Sequence, residues 1–158
     1  VLSHLEVIEK SDIQFIWQTG KYYSASIQEQ LKGKEIPNLK VLDFISDMGA
    51  AYRAADLVIS RAGASSISEF CLIGKPVILV PSPNVAEDHQ TKNAMALVNK
   101  DAAVYVKDCE APSLLIDKAI SIAGDENKLN SLSENIKKLG FKNSADVIAD
   151  EVIKLARR

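Results

Sequence analysis

The run Leu57-Val58-Ile59-Ser60-Arg61-Ala62-Gly63-Ala64-Ser65-Ser66-Ile67-Ser68-Glu69-Phe70-Cys71-Leu72-Ile73-Gly74-Lys75-Pro76-Val77-Ile78-Leu79-Val80 reads as strand, helix, strand. Leu57–Ser60 and Val77–Val80 are short and rich in branched residues, which suits a pleated, packed surface. Ser66–Ile73 carries the helical pattern. Gly74 takes the place where a left-handed residue ends a helix, and Pro76 blocks its continuation. Val77–Val80 is apolar on both faces. Such a strand belongs in a parallel sheet with helices on both sides.

The same alternation continues in both directions. Upstream, Val1–Lys10 is an amphipathic helix, Ile13–Trp17 a strand, Ser24–Leu31 a helix stopped by Gly33, and Val41–Phe44 a strand. Asp47 is placed to cap a short helix over Met48–Ala55. Downstream, Asp88–Lys100 is a helix with Ala94, Leu97 and Val98 on one face, and Ala102–Val106 is a fifth strand. Three helices close the chain, over 111–123, 126–139 and 143–157, broken near Gly124 and Gly140. The expected fold is therefore α/β, a Rossmann-like, doubly wound parallel sheet, in one domain over residues 1–158.

Composition agrees. At 158 residues the chain suits one domain, and its 47% hydrophobic and 25% charged residues are those of an ordinary globular protein. Apolar runs fall well short of the ~18 residues of a membrane span. A net charge of -2 argues against a nucleic-acid footprint. Two cysteines, Cys71 and Cys109, build no disulfide framework; Cys71 shares an apolar face with Ile67, and Cys109 is expected at the surface. Val1 opens the chain where an initiator Met would stand, so a piece of a longer protein is expected.

Ligands of such sheets bind beyond the carboxyl ends of the strands, which selects the loops 18–23, 44–47, 60–66, 81–89 and 107–111. In the loop Ser60–Ser66 small residues let a ligand approach the backbone, and the next helix offers free N–H groups and a positive dipole end, a setting for phosphate. Ser66 and Glu69 also have the spacing of a capping box, so Glu69 has a structural reading beside a ligand one. Loop 81–89 leads through Glu87, Asp88, His89 and Gln90 to Asn93. Amide side chains there offer donors and acceptors for paired hydroxyls. Equally, Asp88 is placed to cap the helix and Asn93 to tie the loop down. Gly-x-Gly-x-x-Gly, Walker A and Gly-x-Ser-x-Gly patterns are absent. His4 and His89 are too far apart to suggest a zinc site.

Taken together, 55–69, Gly74-Lys75-Pro76, Pro81-Ser82-Pro83-Asn84, His89-Gln90, Asn93-Ala94, Trp17-Gln18-Thr19-Gly20-Lys21 and Asp43-Phe44-Ile45-Ser46-Asp47-Met48 resemble the donor-binding half of the MurG family. These are the N-acetylglucosaminyltransferases that act on undecaprenyl-pyrophosphoryl-MurNAc-pentapeptide in bacterial cell-wall synthesis. The resemblance covers nearly the whole chain, and its specificity lies in the order of the motifs. It implies the second half of a GT-B fold, two Rossmann-like domains facing across a cleft. It implies that Phe44 and Ile45 hold uracil, Ile45 partly by its backbone, and that Glu69 holds the ribose hydroxyls. Ala64, Ser65 and Ser66 would meet the pyrophosphate, with Thr19 nearby, and His89 and Gln90 would face the N-acetylglucosamine hydroxyls. Arg61 stays open between a phosphate contact and a structural role.

The resemblance further implies inverting transfer of N-acetylglucosamine from UDP-N-acetylglucosamine to the 4-hydroxyl of the lipid-linked muramoyl pentapeptide. The catalytic base and most of the membrane contact would lie in the other half, so no catalytic residue is assigned here. The setting would be the cytoplasmic face of the inner membrane. No metal or cofactor is expected, since the chain lacks an Asp-x-Asp signature and the nucleotide sugar is a substrate. One departure stands out. The family's half opens with a strand and a glycine-rich loop that are not found before Val1. Their loss would leave a gap between Ile13–Trp17 and Leu57–Ser60, unless another segment fills it. Alternatives are the donor subunit of a two-chain enzyme, a glycolipid glycosyltransferase using another UDP-sugar, a non-catalytic Rossmann-like module, and a UDP-sugar epimerase, for which no acid/base pair is evident.

Overall fold

The computed structural model describes residues 1–85 and 88–157. A single 3-10 turn, Leu2–His4, leads into α1 (Leu5–Glu9). Five parallel strands then alternate with helices: β1 (Phe15–Gln18), α2 (Lys21–Leu31), β2 (Leu39–Leu42), α3 (Met48–Ala54), β3 (Val58–Ser60), α4 (Ala64–Ile73), β4 (Val77–Leu79), α5 (His89–Val98) and β5 (Val104–Tyr105). Helices α6 (Ala111–Ala123), α7 (Glu126–Lys137) and α8 (Ser144–Ala156) complete the chain.

The doubly wound reading holds, and β4 shows why. Its register pairs Val58 with Val77 on one side and Ile78 with Val104 on the other. Val77 and Leu79 enter one hydrophobic cluster with Ile67, Phe70 and Cys71 of α4 and Ala94 and Leu97 of α5. Ile78 and Val80 enter a second cluster with Ala119 and Ile122 of α6. Helix α7 serves both layers, giving Leu132 to one cluster and Ile136 to the other. Phe70, 1% exposed, anchors the first layer; full burial of such a ring contributes about 1.5–3 kcal/mol.

The sheet is divided. Hydrogen bonds join β1 to β2, and β3 to β4 to β5, in two separate sheets. Among the described residues no strand joins the two sheets, whereas the sequence led to a gap between the first and third strands. The two parts meet through helices and loops. Ser3 Oγ donates to the carbonyl of Pro112 on α6. On the β1–β2 side the buried Asn38 turns its amide toward the carbonyls of Ile8, Ser11 and Ile13 at 2.6, 3.0 and 3.0 Å, pinning α1 and the lead-in to β1.

Several boundaries move. Helix α2 starts at Lys21 rather than Ser24, because Gly20 takes φ 74° and opens the turn early. Strand β2 ends at Leu42, which leaves Phe44 in the loop, 63% exposed. The fifth strand shrinks to Val104–Tyr105, and the amphipathic N-terminal segment is helical only from Leu5 after its 3-10 turn. Gly74 ends α4 in the left-handed conformation, φ 69° and ψ 32°, as expected. Cys71 is buried and Cys109 exposed, both free; burial pushes the Cys71 thiol up from its ordinary range.

Candidate functional site

The expected site residues gather along the carboxyl edge of the strands, in two groups. The first stands at the ends of β1 and β2. Thr19 continues the ladder, its N–H donating to the Leu42 carbonyl at 2.9 Å. Its hydroxyl is spent on the backbone, within reach of the Leu42 and Gly20 carbonyls at 3.3 and 3.2 Å. Phe44 presents an open aromatic face. The Ile45 N–H donates to Gln18 Oε1 at 2.9 Å, so Gln18 ties this loop to the end of β1.

The second group stands at the ends of β3, β4 and β5. Helix α4 begins at Ala64, with Gly63 as N-cap and no side-chain cap. The expected capping box therefore does not form. Ser66 is the third residue of the helix, not its cap, because the two small residues before it already adopt helical geometry. Glu69 lies a turn too far along to reach back. The consequence is chemical: the N–H groups of Ala64, Ser65 and Ser66 donate to no acceptor among the described residues. They stand at the positive end of a ten-residue helix.

Glu69 is exposed on α4, and its Oε2 accepts from the Tyr52 hydroxyl at 3.1 Å. Tyr52 meets the buried Phe70 ring edge-on, centroids 5.6 Å apart at 81°. Burial, then the hydrogen bond and negative charge of Glu69, push the Tyr52 hydroxyl above its ordinary value, so it remains a donor at neutral pH.

Gln90 lies on the first turn of α5. Its Oε1 accepts from the N–H groups of Ala62 at 3.2 Å and Ser82 at 2.9 Å, stitching the β3 loop to the β4 loop. Its Nε2 has no partner among the described residues and remains a donor for a ligand. Asn93 ties the same loop down, donating to the Ala62 carbonyl at 3.2 Å. His89 is exposed at the first position of α5. Asp88 takes φ 54° and caps nothing with its side chain, against expectation. Glu87 lies outside the described residues. Arg61, left open above, makes contacts within the fold through one guanidinium nitrogen. Its Nη1 donates to the Val80 and Pro81 carbonyls at 3.1 and 3.3 Å and pairs with Asp108 Oδ1 beyond β5.

Residues 1–150 match the glycosyltransferase family 28 C-terminal domain. The chain belongs to that family. It is 66% identical over 149 residues to the UDP-N-acetylglucosamine--N-acetylmuramyl-(pentapeptide) pyrophosphoryl-undecaprenol N-acetylglucosamine transferase of Bacteroides thetaiotaomicron, covering 94% of this chain and 40% of that protein. Against the transferase of the same name from Bacteroides fragilis the identity is 62% over 160 residues, 100% of this chain and 42% of that protein. The crystal structure of Acinetobacter baumannii MurG superposes with a TM-score of 0.81 at 25% identity, covering 95% of this chain and 46% of that one. The chain thus spans about two fifths of the length of these two curated relatives.

In this family 28 domain the two groups are joined by α3. Asp47, two residues past Ile45, caps that helix by accepting from the Ala50 N–H at 2.8 Å. Further along the helix is Tyr52, which reaches Glu69. No hydrogen bond links Thr19 or Phe44 directly to the start of α4 among the described residues. Sequence reasoning missed Tyr52 and Asp108, and quoted Gln18 without giving it a role. Nothing local marks them, since each acts on a partner far along the chain. A hollow of about 640 Å³ on α6 and α7, lined by Leu114, Lys118, Ser121 and Lys128, holds none of these residues. The candidate site is an open edge. Among the described residues no three His, Cys, Asp or Glu side chains converge as for a metal, and no helix is long and apolar enough to cross a membrane.

Proposed function

We propose that these residues form the donor-binding half of an inverting glycosyltransferase. It moves N-acetylglucosamine from UDP-N-acetylglucosamine to lipid-linked MurNAc-pentapeptide in peptidoglycan synthesis. The observation that carries the reading is the uncapped first turn of α4 with Glu69 one turn further along the same helix. Free N–H groups at a helix start take phosphate oxygens, and a carboxylate accepts from vicinal hydroxyls. Phe44 and Ile45 would take the uracil, Ala64, Ser65 and Ser66 the pyrophosphate with Thr19 behind it, and Glu69 the ribose. His89 and the free Nε2 of Gln90 would take the sugar hydroxyls. Relatives that carry the same domain are named as transferases of this kind.

The chemistry follows from that placement. As the glycosidic bond breaks, negative charge grows on the β-phosphate of the departing UDP. Donors fixed in advance at the α4 N-terminus stabilise it without reorganisation. The proton of the acceptor hydroxyl goes to a base outside this half, so these residues by themselves bind donor and turn nothing over. The acceptor, and contact with the cytoplasmic face of the membrane, belong to the rest of the enzyme.

Titration calorimetry with UDP, UDP-N-acetylglucosamine and UDP-glucose, without added metal, tests this. Saturable binding that favours the N-acetylglucosamine donor is expected. Glu69→Ala is expected to weaken UDP at least about tenfold, the order of one hydrogen bond to a charged group. Unchanged UDP affinity in a folded Glu69→Ala protein would falsify the ribose assignment.

A further inference from the structure

We propose that Tyr52 is a positioning residue that aims the Glu69 carboxylate at the donor ribose. The inference rests on the reading of Glu69 given above and adds a residue to it. Glu69 is exposed, and an exposed glutamate left alone samples many rotamers, each of which must be given up on binding. Here one carboxylate oxygen is already taken: Oε2 accepts from the Tyr52 hydroxyl at 3.1 Å. The other has no partner among the described residues, so the free lone pairs face outward in a fixed direction.

Tyr52 is a suitable post because it is itself held. Its ring packs edge-on against Phe70, the residue next to Glu69 in sequence and 1% exposed. Its helix is capped by Asp47. A tyrosine has only two side-chain torsions to freeze, and ring packing removes both. The hydroxyl stays protonated at neutral pH, raised by burial and by Glu69 itself, so the donor is always available. Preorganisation of this sort raises affinity by removing an ordering cost that binding would otherwise meet.

Tyr52→Phe in the natural full-length polypeptide carrying these residues is the test. It keeps the ring against Phe70 and deletes only the hydroxyl. UDP and 2′-deoxy-UDP are titrated by calorimetry against the parent protein, Tyr52→Phe, Glu69→Ala and the double variant, with thermal unfolding as a check on folding. The expected result is a loss of about three- to tenfold in UDP affinity in Tyr52→Phe, the scale of ordering one side chain on binding. The preference for UDP over its deoxy analogue should fall with it. In the Glu69→Ala background the same change should do nothing further, since the two act as one unit. A merely structural tyrosine would shift the unfolding temperature and leave the ribose preference intact, and that outcome overturns the proposal. If Glu69→Ala itself leaves UDP affinity and the ribose preference unchanged, the ribose reading fails and this inference falls with it. If Glu69→Ala abolishes the preference and Tyr52→Phe preserves it, the inference alone fails.

Discussion

Asn38 shows how much a single residue carries in a small interrupted sheet. It is 8% exposed, and its side-chain amide faces one carbonyl of α1, that of Ile8, and two from the turn before β1, those of Ser11 and Ile13. Two amide hydrogens serve three acceptors, so the bonds are shared. Its own Oδ1 is buried without a partner, a cost the residue already bears. Removing the amide takes a donor from the part-buried Ser11 and Ile13 carbonyls, while the Ile8 carbonyl keeps the Ser11 N–H and hydroxyl. Asn38→Ala is therefore expected to destabilise the protein by about 2 kcal/mol. For a domain of this size that lowers the Tm by about 4–8 °C, which thermal unfolding would show. An unchanged Tm would mean that the turn holds without it. Arg61 and Gln90 do similar work on the other side of the sheet, each bridging loops from different strands. Their residue types were legible as site chemistry in the sequence. Their partners were not, because Asp108 is 47 positions from Arg61 and Ala62 is 28 from Gln90.

At the scale of elements, the start of α4 separates what a pattern says from what a backbone does. Ser66 and Glu69 have the spacing of a capping box, yet the helix begins at Ala64 behind Gly63. Glycine at the N-cap is nearly as good as serine, and nothing in the pattern penalised an earlier start. The two readings predict different energies. A working serine cap would cost about 1 kcal/mol on replacement by alanine. Ser66 caps nothing, so Ser66→Ala is expected to change stability by less than about 0.5 kcal/mol, the usual range for a residue outside such features. Denaturant unfolding decides, and a loss near the capping value would restore the box. Elsewhere the elements were legible wherever both signals agreed. The strand read over Val77–Val80 came out one residue shorter, as Val77–Leu79, and the left-handed Gly74 came out as read. Strand ends did not, since Leu42 rather than Phe44 ends β2 through its register with Gln18. Gly140 shows a packing demand invisible to any pattern: a Cβ there would stand 2.7 Å from the Cys71 carbonyl oxygen, so the chain after α7 needs glycine to lie against α4.

For the whole molecule, the division of the sheet sets the order of its motions. Every residue of β4 is buried, and the strand has partners on both sides. Among the described residues strands β1 and β2 pair only with each other, and none of their residues is buried. Local opening is cheapest where few apolar contacts must be broken. Backbone amides bonded between β1 and β2 should therefore exchange with solvent much faster than those of β4 and β5. On the proposed function the donor spans the break, its uracil on the β1–β2 side at Phe44 and Ile45 and its phosphates at α4. An opened β1–β2 unit would lose the base contacts, so donor binding must raise its opening free energy. At a donor concentration of 100 times Kd the limit is about 2.7 kcal/mol, close to a hundredfold slowing. The amides of β4 are expected to open only with the global unfolding of the domain, so they should gain at most the same increment from a far higher start. Hydrogen exchange of β1–β2 and β4 with and without UDP measures both. Equal protection of the two sheets without nucleotide would contradict the reading of the divided sheet. Slowing confined to β4 and α4 would place the nucleotide wholly on one side of the break and remove the base from Phe44.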